Sequence, residues 1–167
     1  MSYDVAINKS WEDLIKLNPP KSLSVKLLDD EYSVDITVKK ILSLSCNIPA
    51  KDFTAIIILH YLASFLKGLP PVAGEWLTFR EFSGIEGYYD AFKIRCIDPI
   101  IRRGIKNKNE DYARVVDAFA GVPVLVKFWK GDDEFSPDAN IYFDKSITGI
   151  FCTEDIIVLG GLVAAKL

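Results

Sequence analysis

Histidine occurs once in the 167 residues, as His60. That scarcity limits the chemistry at once. Any Ser-His-Asp or Cys-His device, and any histidine-bearing metal site, has to use this one side chain. Cysteine is nearly as rare: Cys46, Cys96 and Cys152 are odd in number, far apart, and form no C-x-x-C pair. Neither a zinc knuckle nor an iron–sulfur loop is therefore encoded, and the three read as buried free thiols of a reducing compartment. No Gly-rich phosphate cradle and no G-x-S-x-G nucleophile elbow occurs, which leaves a nucleotide-dependent reaction or an α/β-hydrolase site without positive support.

Long apolar runs are missing too. Thr54 to Leu66 and Ile156 to Ala165 stop short of the roughly 20 residues a spanning helix needs, and His60 interrupts the first. The first ten residues contain Asp4 and Lys9 instead of the apolar stretch of a secretion signal. A cytoplasmic chain with no membrane partner is expected. The net charge of −3 and pI near 5.2 supply no electrostatic reason to expect nucleic acid.

What is present is the balance of a folded domain, with 50% apolar and 26% charged residues. The length fits one domain over residues 1–167. Ser10-Trp11-Glu12-Asp13 reads as a helix start, stopped by Pro19-Pro20. From Leu23 to Ser45 the apolar residues fall at strand spacing, with Asp29-Asp30-Glu31 where a turn belongs and a third strand through Ile41 to Leu44. Pro49 opens a helix to about Lys67 whose apolar residues cover most of its circumference, so it should be largely buried. Trp76 to Phe82 reads as a strand. A helix follows from about Glu86 to Ile105, kinked or divided by Pro99, and Asn109 can cap another that ends near Gly121. Val122 to Lys130, Asn140 to Asp144 and Ile147 to Phe151 read as strands, and Thr153 caps a final apolar helix. Strands arrive in adjacent groups. The expected class is α+β, a single domain with a mainly antiparallel sheet against several helices, including a buried central one.

The densest polar feature runs from Trp129 to Asp144, where five carboxylates and Asn140 lie near aromatic side chains. Such a connection can place oxygens on a hard cation or orient a small ligand, but its spacing is not that of a calcium loop; an acidic turn with Asp144 paired to an arginine is the alternative. In Trp76-Leu77-Thr78-Phe79-Arg80-Glu81-Phe82, strand alternation puts Trp76, Thr78, Arg80 and Phe82 on one face and Glu81 on the other. Arg80 can then bind a carboxylate or phosphate, or pair with a later acid. Together these give a candidate ligand pocket of Trp76, Arg80, Glu81, Trp129, Asp133, Asn140 and Asp144, with no metal assigned. His60, among apolar neighbours at helical spacing, reads as a hydrogen-bonded core residue. Arg95, Arg102, Arg103, Lys106 and Lys108 scatter around a helix without interleaved aromatics and read as a solvated face. Gly160-Gly161 in an apolar helical run points to close helix packing.

Leu59-His60-Tyr61-Leu62, Trp76-x-x-Phe79-Arg80-Glu81, Phe128-Trp129-x-Gly131-Asp132-Asp133-Glu134-Phe135-x-Pro137 and Ala139-Asn140-Ile141-x-Phe143-Asp144 resemble an uncharacterised bacterial family, a domain of unknown function found mostly in anaerobes. Thr153-Glu154-Asp155 with Gly160-Gly161 fits the same pattern, and the resemblance covers roughly residues 50 to 167. Some relatives carry an added iron–sulfur module. The resemblance thus implies a role near electron transfer or cofactor maturation, exercised here through a redox or cofactor-metabolism partner because this chain has no cluster-binding cysteines. It supplies no catalytic residues. The expectation is a ligand- or partner-binding domain with no cofactor of its own. The alternatives are an enzyme or metal-binding protein built on the Arg/Glu/Asp/Asn pocket, with His60 able to join it, and a structural or assembly module.

Overall fold

The structure is a computed structural model and describes residues 3–104 and 110–167. Its elements run α1 (Asp4–Ile15), β1 (Ser22–Leu27), β2 (Asp30–Asp35), β3 (Lys40–Ser43), α2 (Asp52–Lys67), β4 (Trp76–Thr78), α3 (Tyr89–Phe92), α4 (Asp98–Arg103), β5 (Tyr112–Phe119), β6 (Val122–Trp129), β7 (Asp138–Asp144) and α5 (Thr153–Ala165). Two antiparallel sheets result, one ordered β1-β2-β3 and one ordered β4-β7-β6-β5. This is a single α+β domain. No helix among the described residues is long and apolar enough to cross a membrane.

The small sheet follows its pattern. Val25, Leu27, Val34 and Ile41 are buried while their strand neighbours face out. Its first turn is Leu28-Asp29, with Leu28 at φ 55°, and the Leu28 N–H donates to the Ala118 carbonyl at 2.8 Å, tying this sheet to β5. In the larger sheet Val124, Val126 and Phe128 of β6 alternate with more exposed residues, and Ala139, Ile141 and Phe143 of β7 meet them on one face. That face packs on the helices.

Helix α2 is the buried centre. Every residue from Thr54 to Leu59 is buried, as are Tyr61 and Leu62, because its apolar residues surround the axis. Gly68, at φ +96°, ends it. Helix α1 packs on one side and α5 on another.

Several expectations are corrected. Helix α1 starts at Asp4, so Ser10 is mid-helix and caps nothing. The strand at Trp76 stops at Thr78 and passes into a 3₁₀ turn, Phe79–Glu81, which buries Phe79 and Phe82 together instead of alternating them. The helix expected at 86–105 begins later, at Tyr89, and is split. Between α3 and α4 lies a π segment, Lys93–Ile97, followed directly by Asp98-Pro99. Proline offers no N–H to the Arg95 carbonyl, so the turn widens there. Tyr112–Phe119 is a strand rather than a helix ending near Gly121. Its β-branched Val115-Val116 pair sits opposite Leu125 and Val124, and Gly121 at φ +80° makes a hairpin turn, not a helix end. The expected cap Asn109 and the basic residues Lys106 and Lys108 lie outside the described residues. Ile147 falls in a 3₁₀ segment, Lys145–Gly149, not a strand. The last helix is capped by Cys152, one residue before Thr153. Of the three thiols only Cys96 is buried; Cys46 and Cys152 are exposed.

Candidate functional site

Trp76 lies opposite Asp144 in the β4–β7 ladder, but the polar atoms of the expected pocket are committed elsewhere. Asp144 is buried and accepts N–H bonds from Ala73 (2.9 Å), Gly74 (2.8 Å) and Ser146 (3.0 Å), so it clamps the chain entering β4 rather than pairing with an arginine. Burial alone would push its carboxyl up; the bonds from Ser146, Ala73 and Gly74 outweigh that and hold it below the ordinary range. Glu81 accepts from both the backbone N–H and the hydroxyl of Thr78, closing the 3₁₀ turn. Arg80 lies 3.8 Å over the Tyr89 ring, a cation–π contact in place of an ion pair with a later acid.

At the other end of the sheet, Asn140 accepts from the Ile141 N–H and faces Lys127 across the ladder. Asp133 is exposed in the β6–β7 loop. Its neighbour Asp132 folds that loop by accepting from the Glu134 and Phe135 amides at 2.9 and 2.8 Å. Gly131, at φ +75°, is required there, since a Cβ would meet the Phe135 carbonyl and Pro137 nitrogen at 2.6 Å. Trp129 and Phe135 remain exposed beside this loop. Among the described residues no group of three or more His, Cys, Asp or Glu side chains could hold a metal ion.

The residues that do converge come from three helices. His60 of α2 places Nδ1 2.6 Å from Oδ2 of Asp155 in α5, and Nε2 2.9 Å from Oγ of Ser10 in α1. Ser10 and Asp155 are buried, while a third of the His60 side chain is exposed. Asp155 also accepts from the Cys152 N–H at 3.2 Å, so one carboxylate caps α5 and orients the imidazole. Ser10 has a single hydroxyl proton and two acceptors, Nε2 and the Ala6 carbonyl at 2.8 Å. If it donates to Ala6, His60 must supply both of its own bonds as an imidazolium. If it donates to Nε2, the ring is neutral with its proton on Nδ1. The two proton placements share one set of heavy-atom positions.

Beside this network lies a cleft of about 490 Å³ between the start of α1, the first turns of α2 and the start of α5. Tyr3, Phe53, Ile56 and Val158 form its apolar walls, and His60, Cys152, Glu154 and Asp155 its polar end. Glu154 accepts from the Tyr88 hydroxyl at 2.8 Å. Its own backbone amide and that hydroxyl hold its carboxyl below the ordinary range. The Cys152 thiol goes the other way, pushed up to about 12 by burial and by the neighbouring Asp155 and Glu154 carboxylates. It is thus a protonated thiol at neutral pH, unsuited to be an activated nucleophile beside His60.

Ser10 and Asp155 were visible in the sequence only as helix-start residues. A signal for the network was present in Ser10, which stands four residues before the fully buried Leu14 and so shares its inward face. A polar side chain on an apolar face needs a partner.

Residues 13–166 match a family described as a domain of unknown function, DUF3786, and the chain belongs to that family. No curated protein and no solved structure matches it.

Proposed function

We propose that this member of the DUF3786 family is a non-catalytic binding domain that takes a small ligand in the His60 cleft and serves as an accessory in anaerobic redox or cofactor metabolism. The observation that carries the first half is the cleft itself: apolar walls drawn from α2, α5 and the start of α1 beside a fixed polar end, the usual composition of a small-molecule site. The polar end is rigid because Asp155 and His60 are already bonded. The accessory role rests on the resemblance to relatives with an iron–sulfur module. This chain would meet such chemistry through a partner protein.

Native mass spectrometry with metal analysis, on protein purified anaerobically from its host, tests the reading. A bound small organic molecule is expected, displaced in Ala6→Phe, because Ala6 also lines the cleft from α1. A bound metal with no organic ligand would overturn it.

The order Asp155–His60–Ser10 favours one second reading, an ester or amide hydrolase. Against it, Ser10 sits inside a helix whose backbone N–H groups are engaged, so they offer no oxyanion hole beside Oγ, and its hydroxyl also reaches the Ala6 carbonyl. Labelling of Ser10 by a fluorophosphonate, with ester hydrolysis lost in Ser10→Ala, would establish the hydrolase and displace the binding reading.

A further inference from the structure

We infer that the occupant of the cleft is an organic cation, a small molecule with an apolar body and one protonated nitrogen, an inference that rests on the binding reading above. The residues around the cleft include two carboxylates, Glu154 and Asp155, and neither lysine nor arginine. His60 is the one group there able to carry positive charge. Whichever way the Ser10 proton points, the lining therefore sums to −1 with an imidazolium or −2 with a neutral ring, counted from these same residues.

The two acids are not equivalent. Asp155 is spent on His60 and on the α5 cap. Glu154 is exposed, is held ionised, and commits one oxygen, Oε1, to Tyr88. A neutral occupant would strip water from Glu154 without replacing it, and an anion would add repulsion; a cation offsets both costs. Tyr3 and Phe53 are aromatic walls of the same cleft, and the Phe53 ring already carries a cation, the Lys51 ammonium 6.0 Å from its centroid.

The apolar floor continues beyond this cleft. A neighbouring depression shares Tyr3, Phe53 and Val158 and extends along α5 to Leu162, with Arg95 also in its lining, a cationic side chain that lies away from Glu154's cleft. From Glu154 to Leu162 the helix rises roughly 12 Å at about 1.5 Å per residue. The charge should therefore bind at the start of α5 with the apolar body lying along it.

The test titrates the full chain with hexylammonium, hexanol and hexanoate at neutral pH and low salt, read by amide chemical shifts. Hexylammonium is expected to shift amides at the start of α5 and along α2, and to bind at least tenfold more tightly than hexanoate. Lengthening the alkyl chain should tighten binding roughly two- to fourfold per methylene while floor remains to be covered. Glu154→Gln, an exposed change, should bring hexylammonium down to the affinity of hexanol. Hexanol or hexanoate binding in the cleft as tightly as hexylammonium would overturn the cation and leave the binding domain standing. No shift in the cleft with any of the three would overturn both.

Discussion

His60 Nδ1 lies 2.6 Å from Asp155 Oδ2 although 95 residues separate them in the chain. Because Nε2 of the same ring reaches Ser10, one imidazole holds α1, α2 and α5 at a single junction. Burying this polar set costs desolvation, and the cost is offset only while every member keeps its partner.

Truncating one member should therefore be expensive. Asp155→Ala leaves the imidazole and the Cys152 N–H without their acceptor, and is expected to destabilise the fold by about 2–4 kcal/mol. His60→Leu and the double variant complete a cycle in urea unfolding. A coupling energy of about 1–3 kcal/mol is expected between the two sites; additive effects would mean the bond contributes little.

Gly160 is a packing requirement that its neighbour does not share. A Cβ there would meet Cys96 Sγ at 2.9 Å and Phe92 at 3.3 Å, whereas at Gly161 the nearest contact is an ordinary 3.7 Å from the Arg95 carbonyl. Gly160→Ala should cost about 1–3 kcal/mol despite better helix propensity. Adding Cys96→Ala should recover part of that loss. Gly161→Ala should be neutral or stabilising by up to about 1 kcal/mol in thermal unfolding.

Asp144 makes an acid-sensitive clamp. Its folded carboxyl titrates below its ordinary 3.8, so the unfolded chain binds the proton first. The stability it contributes is present above about pH 4 and lost as pH falls through the folded value. In pH-dependent unfolding, Asp144→Asn should be less stable than the native chain at pH 7, and the gap should narrow below pH 4.

Thiol reactivity should not follow exposure alone. Cys152 is exposed, yet with its thiol pushed up to about 12 little of it is thiolate at pH 8. Cys96 is buried, also pushed up to about 12, and its thiol donates to the Ile157 carbonyl. Iodoacetamide mapped by mass spectrometry should modify Cys46 first, Cys152 slowly and Cys96 only on unfolding. For both raised thiols the unfolded chain loses its protons first, so their contribution is complete below about pH 9 and falls between 9 and 12.

The candidate pocket drawn from sequence and the cleft found in the structure share no residue. Strand alternation placed Arg80 and Thr78 on one face, but the 3₁₀ turn at Phe79–Glu81 replaced that alternation and sent Arg80 onto Tyr89. Asp144 looked free to meet a ligand because the amides it holds, those of Ala73 and Gly74, are about seventy residues upstream. Local pattern carries no information about such a partner.

The sequence by itself determined the α+β class, the buried α2, the three-stranded β1–β3 sheet and the apolar α5, since each follows from local periodicity, caps and breakers. It also determined that any histidine chemistry runs through His60. Only the tertiary structure decided that Tyr112–Phe119 pairs as a strand, and that Ser10, His60 and Asp155 meet at the wall of a cleft. The reason is the same in both cases. A strand is completed by hydrogen bonds to another strand, and a buried polar group by a partner on another helix; neither choice is made within a few residues of chain.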